Sequence, residues 1–264
     1  MAPAAFSRPE DLNKFVQVRQ GLHCCTTVWN IGWGYVAQVP VSAFLVRHKT
    51  NPHDWALIDT CAPDESSILM NAIDKFLTHA QDRIRYICIT HAHYDHTGGV
   101  HALLDRYPDS KVVVHAEEKP FVCDGRQFKS LWGDTCIFNL LKVPIDYLHK
   151  ANVRVPYDRT VTLRDGDHWE FEDVLEFVET SGHTPGSASF IHLPSKSMMV
   201  GDTVMNYPNV SGPTPASTWH WGDAMKAIDK ILSLEDRVEI VFPAHDVGQS
   251  GVHIAKVRDF HRPS

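Results

Sequence analysis

His91-Ala92-His93-Tyr94-Asp95-His96-Thr97-Gly98-Gly99 is the stretch on which the reading of this chain turns. Three imidazoles and a carboxylate share one short loop, and imidazole is the commonest metal ligand among side chains. So short a segment cannot wrap all four donors around one tetrahedral ion. It can divide them, with His91 and His93 alternating to one side and Asp95 and His96 serving a second ion. A surface role does not account for donors at this density. Gly98-Gly99 then lets the backbone turn tightly into the next element.

Working outward, residues 84–89 form an apolar run that reads as a strand ending at the cluster, and strand ends are where open sheets present functional groups. A helix is predicted over 99–107, stopping before Pro108, and a buried strand over 111–115. Upstream, strand-like runs at 39–48 and 55–59 are split by the turn-forming Asn51-Pro52-His53-Asp54. A helix is predicted over 64–78, where Ile68, Leu69, Ala72, Ile73, Phe76 and Leu77 recur at helical spacing. Downstream, strands are expected at 161–163, 174–179, 188–193, 197–201 and 238–242. Helices are expected at 223–232, capped by Asp223, and at 252–260. Residues 121–159 carry Trp132, Phe138, Leu140, Leu141, Ile145 and Tyr147 without a clean period. Strands with interspersed helices in both halves indicate an α/β protein with layered sheets. No repeat or low-complexity linker appears, so one domain over 1–264 is expected, with a lid insertion at 121–159.

The composition sets limits on function. The chain has 264 residues, 43% hydrophobic and 22% charged, with a formal net charge of −7 and a pI near 6.2. That balance argues against a surface built for nucleic acid or anionic lipid. Histidine stands out at 17 residues; His48, His53, His79, His149 and His261 sit among polar neighbours and read as surface residues. The first residues lack a charged leader with an apolar run, and no apolar stretch approaches the roughly 18–20 residues needed to span a bilayer. The 6 cysteines show no C-x-x-C spacing. Reduced thiols and a cytoplasmic location are therefore expected.

The histidine stretch resembles the H-x-H-x-D-H signature of the metallo-β-lactamase superfamily, and the resemblance continues in order along residues 39–245. Leu57-Ile58-Asp59-Thr60 is similar to the family's early strand ending in Asp. Ser181-Gly182-His183-Thr184-Pro185-Gly186-Ser187 resembles its G-H-T-P-G-S turn, Gly201-Asp202-Thr203 its G-D motif, and Pro243-Ala244-His245-Asp246 its last histidine. The resemblance implies a four-layer αββα sandwich with metals at one edge between two sheets. By it, His91, His93 and His183 bind a first metal, Asp95, His96 and His245 a second, and Asp202 bridges both. Two zinc ions are implied, with manganese or iron as substitutes. Asp59 resembles the family's carboxylate that orients a ligand; a strand-end cap is the plain alternative. His115 fits a structural position and is not read as a ligand.

The ligand set narrows the branch. Metallo-β-lactamases proper lack a bridging Asp at the position of Asp202, and flavodiiron proteins carry Glu where this chain has His93. The set is similar to that of the glyoxalase II, lactonase, thioesterase and phosphodiesterase branches. The implied activity is metal-dependent hydrolysis of a carbonyl ester, a lactone or related ester, by a hydroxide held between the metals. Asp95 would carry the proton to the leaving group. A glyoxalase II-like thioesterase is one alternative; an iron-dependent oxidoreductase, or a phosphodiesterase or nuclease on the same scaffold, is another. The partner expected is a small ester, lactone or thioester, with no nucleic acid and no membrane. Residues 242–249 resemble the G-H-D-x-x-Q ending of bacterial acyl-homoserine lactonases, with Ala244 in place of Gly. Those enzymes place a substrate-contacting Tyr three residues after the bridging Asp. Here Tyr207, five residues on, either substitutes for it or packs in a loop. Cys61 stands where the family has Gly, as a small buried residue or a thiol near the metals. Thr218-Trp219-His220-Trp221 either walls a substrate cleft or packs in the core or at a helix start.

Overall fold

The computed structural model describes residues 6–31, 37–126 and 153–261. Seven strands form the first sheet in chain order: β1 (Val16–Arg19), β2 (Leu22–Ile31), β3 (Ala37–Arg47), β4 (Asp54–Ile58), β5 (Arg83–Cys88), β6 (Lys111–His115) and β7 (Thr160–Leu163). Its first half is antiparallel, and from β4 to β7 the strands run parallel. The second sheet comprises β8 (Leu175–Glu179), β9 (Ala188–His192), β10 (Ser197–Gly201), β13 (Ile240–Pro243) and β14 (Val252–His253), ordered β14-β13-β10-β9-β8. Within it, β10 and β13 are parallel. Two short strands, β11 (Met205–Asn206) and β12 (Val210–Ser211), pair with each other.

The pleat explains the layers, because successive side chains on a strand point to opposite faces. Phe44 and Val46 of β3, with Ala56 and Ile58 of β4, point inward against Phe177, Phe190, Met199 and Phe242 of the second sheet. Leu45 and Leu57, one residue out of phase, point the other way. There they meet Leu69 and Ile73 of helix α1 (Ser66–Phe76) and Leu103 of α3 (Val100–Arg106). On the far side, Val178, Ile191, Met198 and Val241 pack on Ile228 and Ile231 of α5 (Trp221–Ser233) and Val257 of α6 (Ile254–His261). The order is helix, sheet, sheet, helix, with three apolar layers between, which is the αββα architecture expected.

Several boundaries differ from the sequence reading. Strands β1 and β2 were not expected, yet β2 pairs with β3 from Leu22↔Val46 to Ile31↔Ala37. Helix α5 begins at Trp221, and its cap is His220, whose Nδ1 accepts the Asp223 N–H, not Asp223 itself. Residues 252–253 are a strand rather than the start of the last helix. The irregular stretch expected over 121–159 is regular at both ends, in α4 (Lys119–Asp124) and a 3-10 turn at Tyr157–Arg159. The rest of the expected lid, residues 127–152 with Trp132, Phe138, Leu140, Leu141, Ile145, Tyr147, His149 and Cys136, lies outside the described residues. Among those described, no helix is long and apolar enough to cross a membrane.

Candidate metal centre

The carboxyl ends of two parallel strand pairs, β4–β5 from one sheet and β10–β13 from the other, open on the same edge of the sandwich. Asp59 follows β4, His91 and His93 follow β5, Asp202 follows β10 and His245 follows β13. Asp95 and His96 sit in the short helix α2 (Tyr94–Thr97), and His183 lies in the turn between β8 and β9. Backbone bonds close this edge across the sheets: Ala188 N–H donates to Thr90 O (2.8 Å), and Ser42 N–H to Ala244 O (3.0 Å).

The donors gather in two adjoining groups, His91, His93, His183 and Asp202, and Asp95, His96 and His245, all buried. In the first, His93 Nδ1 lies 2.9 Å from His91 Nε2 and 3.1 Å from His183 Nε2. In the second, His245 Nε2 is 3.3 Å from both Asp95 Oδ2 and Asp202 Oδ1, and His96 Nε2 is 3.2 Å from Asp202 Oδ1. The other Asp202 oxygen faces the first group, 3.5 Å from His183 Nε2 and 3.9 Å from His91 Nε2. One carboxylate thus spans both groups.

The surroundings set the tautomers. His96 Nδ1–H donates to Asp59 Oδ2 (2.9 Å), and His245 Nδ1–H donates to Pro40 O (2.7 Å). The Thr90 hydroxyl gives its one proton to Asp59 Oδ2 (2.8 Å), so toward His91 Nδ1 at 3.2 Å it can only accept. The Thr218 hydroxyl likewise donates to Thr214 O (2.8 Å) and accepts from His183 Nδ1 (3.3 Å). In each case the outer nitrogen holds the proton and the inner Nε2 turns a lone pair to the centre. His96 Nε2 and Asp202 Oδ1, although close, lack hydrogen-bond geometry. Converging lone pairs from neutral imidazoles and carboxylates are the donor set of a metal cation, so these residues fit one.

Without a cation, the carboxylates would instead favour the protonated forms of the second group's rings, His96 and His245. Burial, then His96 and His93, holds His91 well below the usual imidazole range. Burial opposes charge on His245, but Asp202 and Asp95 overcome it and raise the ring to about 10. Burial also works against ionised Asp202, yet His245 and His96 hold its carboxyl well below the usual range. The carboxylates call for a positive partner.

Other expected residues fall differently. Asp59 sits in the outer layer, accepting from Thr90 N–H (2.8 Å) as well as from His96. The Tyr207 hydroxyl donates to Gln38 O (2.9 Å) on β3. Asp246, part of the lactonase-like ending, is buried in its own turn, accepting from Asn206 Nδ2, Gly248 N–H and Gly251 N–H. Cys61 is fully buried and its thiol is pushed far up by that burial, which makes it a small core residue rather than a reactive thiol. His115 is paired with Glu179 (2.9 Å). Trp219 and Trp221 are 43% and 39% exposed beside the His183 turn, so they do not pack in a core. The sequence reading missed Thr90 and Glu118 and read Thr218 as a cleft wall or packing residue rather than as the orienter of His183; a lone hydroxyl or a Glu between Glu117 and Lys119 carries no signal before the fold is known.

Two sheets whose parallel ends meet at a buried His/Asp centre define an αββα protein built to hold metal ions. The sequence profile of the metallo-beta-lactamase superfamily matches residues 36–245, and the chain belongs to that superfamily. It is similar to the probable metallo-hydrolase YflN of Bacillus subtilis, 24% identical over 237 residues that cover 83% of this chain and 84% of that one. It also resembles a hydroxyacylglutathione hydrolase of Francisella philomiragia, 27% identical over 69% of this chain and 57% of the relative. Among solved structures, the metallo-beta-lactamase superfamily protein ST1585 of Sulfolobus tokodaii superposes with a TM-score of 0.59 at 18% identity, covering 83% of this chain and 78% of that one.

Proposed function

We propose that this chain hydrolyses an acyl ester bond, in a lactone, open ester or thioester, with two zinc ions held by the centre. The observation that carries the reading is the placement of Asp202, one oxygen toward His96 and His245 and the other toward His183 and His91. His91, His93 and His183 would hold one ion, Asp95, His96 and His245 the other, with Asp202 shared. The ions would supply Lewis acidity and a lowered pKa for water; His and Asp donors suit zinc, and hydrolysis needs no redox change.

The chain's own residues do the rest. Asp59 and the Pro40 carbonyl fix the His96 and His245 rings. Asp95, which would hold an ion beside the leaving group, would move a proton to the leaving oxygen or sulfur. The net charge of −7 disfavours a polyanionic phosphodiester. Tyr207, held on Gln38, is proposed as a wall of the cleft rather than a proton donor. The thioester reading gains from the similarity to hydroxyacylglutathione hydrolases. The lactone reading is weaker than its motif suggests, since Asp246 is spent within its own turn.

Protein purified without chelator should carry close to two equivalents of zinc. It should turn over an aryl ester, a lactone or a glutathione thioester at least about 100-fold faster than bis-p-nitrophenyl phosphate, a gap of roughly 2.7 kcal/mol in barrier. The ratio of thioester to lactone turnover then decides between the two carbonyl substrates. A faster phosphodiester reaction, or bound iron with oxygen uptake, would overturn the proposal.

A further inference from the structure

Glu118 lies in the 3-10 turn Ala116–Glu118 between β6 and α4, and its side chain is completely buried. Its Oε2 accepts the Ala92 N–H at 2.7 Å, and Ala92 is the residue between His91 and His93. Its Oε1 accepts the Thr184 hydroxyl at 2.7 Å and the Gly186 N–H at 2.9 Å, both in the turn that begins with His183. One carboxylate therefore joins the two loops that carry the three imidazoles of the first group, through two backbone N–H groups and a hydroxyl.

The turn is built around this contact. A Cβ on Gly186 would stand 2.6 Å from His115 Nδ1 and 2.9 Å from Glu118 Cγ, so only glycine lets the backbone come close enough to donate. The Ser187 hydroxyl accepts the Thr184 N–H at 2.9 Å and holds Thr184 in place. Two of the three donors are backbone N–H groups, which cannot reverse polarity, so the position demands an acceptor at each oxygen. Among the described residues, no carboxylate bridges the loops of the second group in this way; Asp95 and His96 share one short helix, and His245 is fixed by Pro40.

We propose that Glu118 is the positioning residue of the first half-site, a carboxylate clamp that sets His91 and His93 against His183 as one unit. The inference rests on the metal-centre reading above. The Glu118→Gln variant keeps the shape but must aim an NH2 group at an N–H donor, either Ala92 or Gly186, and so breaks at least one bond. The loops stay tied by Ala188 N–H to Thr90 O, so the fold should survive.

The test is competition for Zn2+ between the full-length protein and a chelating dye, which reads two binding steps. His183→Ala and His245→Ala assign each step to a half-site. Glu118→Gln should weaken the step that His183→Ala abolishes by about 10–100-fold, the usual range for a residue that orients a ligand. The step lost in His245→Ala should stay within about threefold. Equal weakening of both steps, with a lower melting temperature of the metal-free protein, would assign Glu118 to general stability and overturn the clamp, as would no change in either step. If Glu118→Gln does not fold, Thr184→Val removes one of the three bonds and should give the same selectivity in smaller measure. Wild-type protein that binds no zinc would sink the metal-centre reading and the clamp with it, whereas two normal steps with an unselective Glu118→Gln would sink only the clamp.

Discussion

At the scale of the residue, the outer layer around the centre decides which nitrogen of each ring faces inward. Asp59 is the clearest case, because its Oδ2 takes the His96 Nδ1–H while both oxygens hold Thr90. Asp59→Asn would turn an NH2 toward Thr90 or toward His96, breaking a bond and favouring the wrong tautomer. Metal affinity should fall about 10–100-fold with the fold retained. Asp202→Ala should instead loosen both ions at once; metal analysis after dialysis distinguishes the two, and retention in Asp202→Ala with loss in Asp59→Asn would reverse the roles. A different histidine contributes to acid stability. Burial, then the nearby His23, lowers His192 from 6.5 to about 4, with Nδ1 held 2.6 Å from Ser195 Oγ. Its folded pKa lies below its unfolded one, so its contribution is present above pH 6.5 and is lost as pH falls toward 4. Chelator-treated His192→Gln should therefore show a shallower loss of stability over that window than chelator-treated wild type, measured by denaturant unfolding at several pH values.

At the scale of the element, what the sequence showed and what it hid have physical reasons. Strands buried on both faces read as unbroken apolar runs, so Leu57-Ile58 and Val112-Val113-Val114 were legible, as was the motif clustered on one loop. Strand β2 was not, because small and hydroxyl side chains can be buried in pairs: Thr26 Oγ1 and Ser42 Oγ meet at 2.9 Å between β2 and β3. Glu118 was hidden for the opposite reason, a charged residue in a polar stretch whose partners are distant in sequence. Gly182 is legible in both senses, as part of a motif and as a backbone necessity. Its φ is +143°, and a Cβ there would overlap the Asp223 and Ala224 backbone at the start of α5. The His220 N–H also donates to Gly182 O at 2.9 Å, fastening the helix start to the His183 turn. Gly182→Ala should destabilise the protein by about 3 kcal/mol through strain and displacement of the helix. Denaturant unfolding of the metal-free protein would show it, and an unchanged midpoint would mean that α5 yields without cost.

At the scale of the whole molecule, the centre is a joint between the two sheets. His91, His93, Asp95 and His96 belong to the first sheet's edge, and His183, Asp202 and His245 to the second's. Folding must bring these groups together although Asp95 and Asp202 repel each other and all of them are buried. A cation bound there would engage donors from both sheets at once, and it would bind the folded chain far better than the unfolded one. Such linkage stabilises by about 4 kcal/mol when free metal stands at 1,000 times its dissociation constant. For a chain of this size, 1 kcal/mol corresponds to roughly 2–4 °C in melting temperature. Removing metal with a chelator should therefore lower the transition by about 10 °C, and zinc in slight excess over the chelator should restore it. His245→Ala should show a smaller chelator effect than wild type, since fewer second-sheet donors remain. A melting temperature that does not respond while metal analysis shows the ions gone would mean that the packed layers alone hold the sheets, and that the centre serves chemistry without serving the fold.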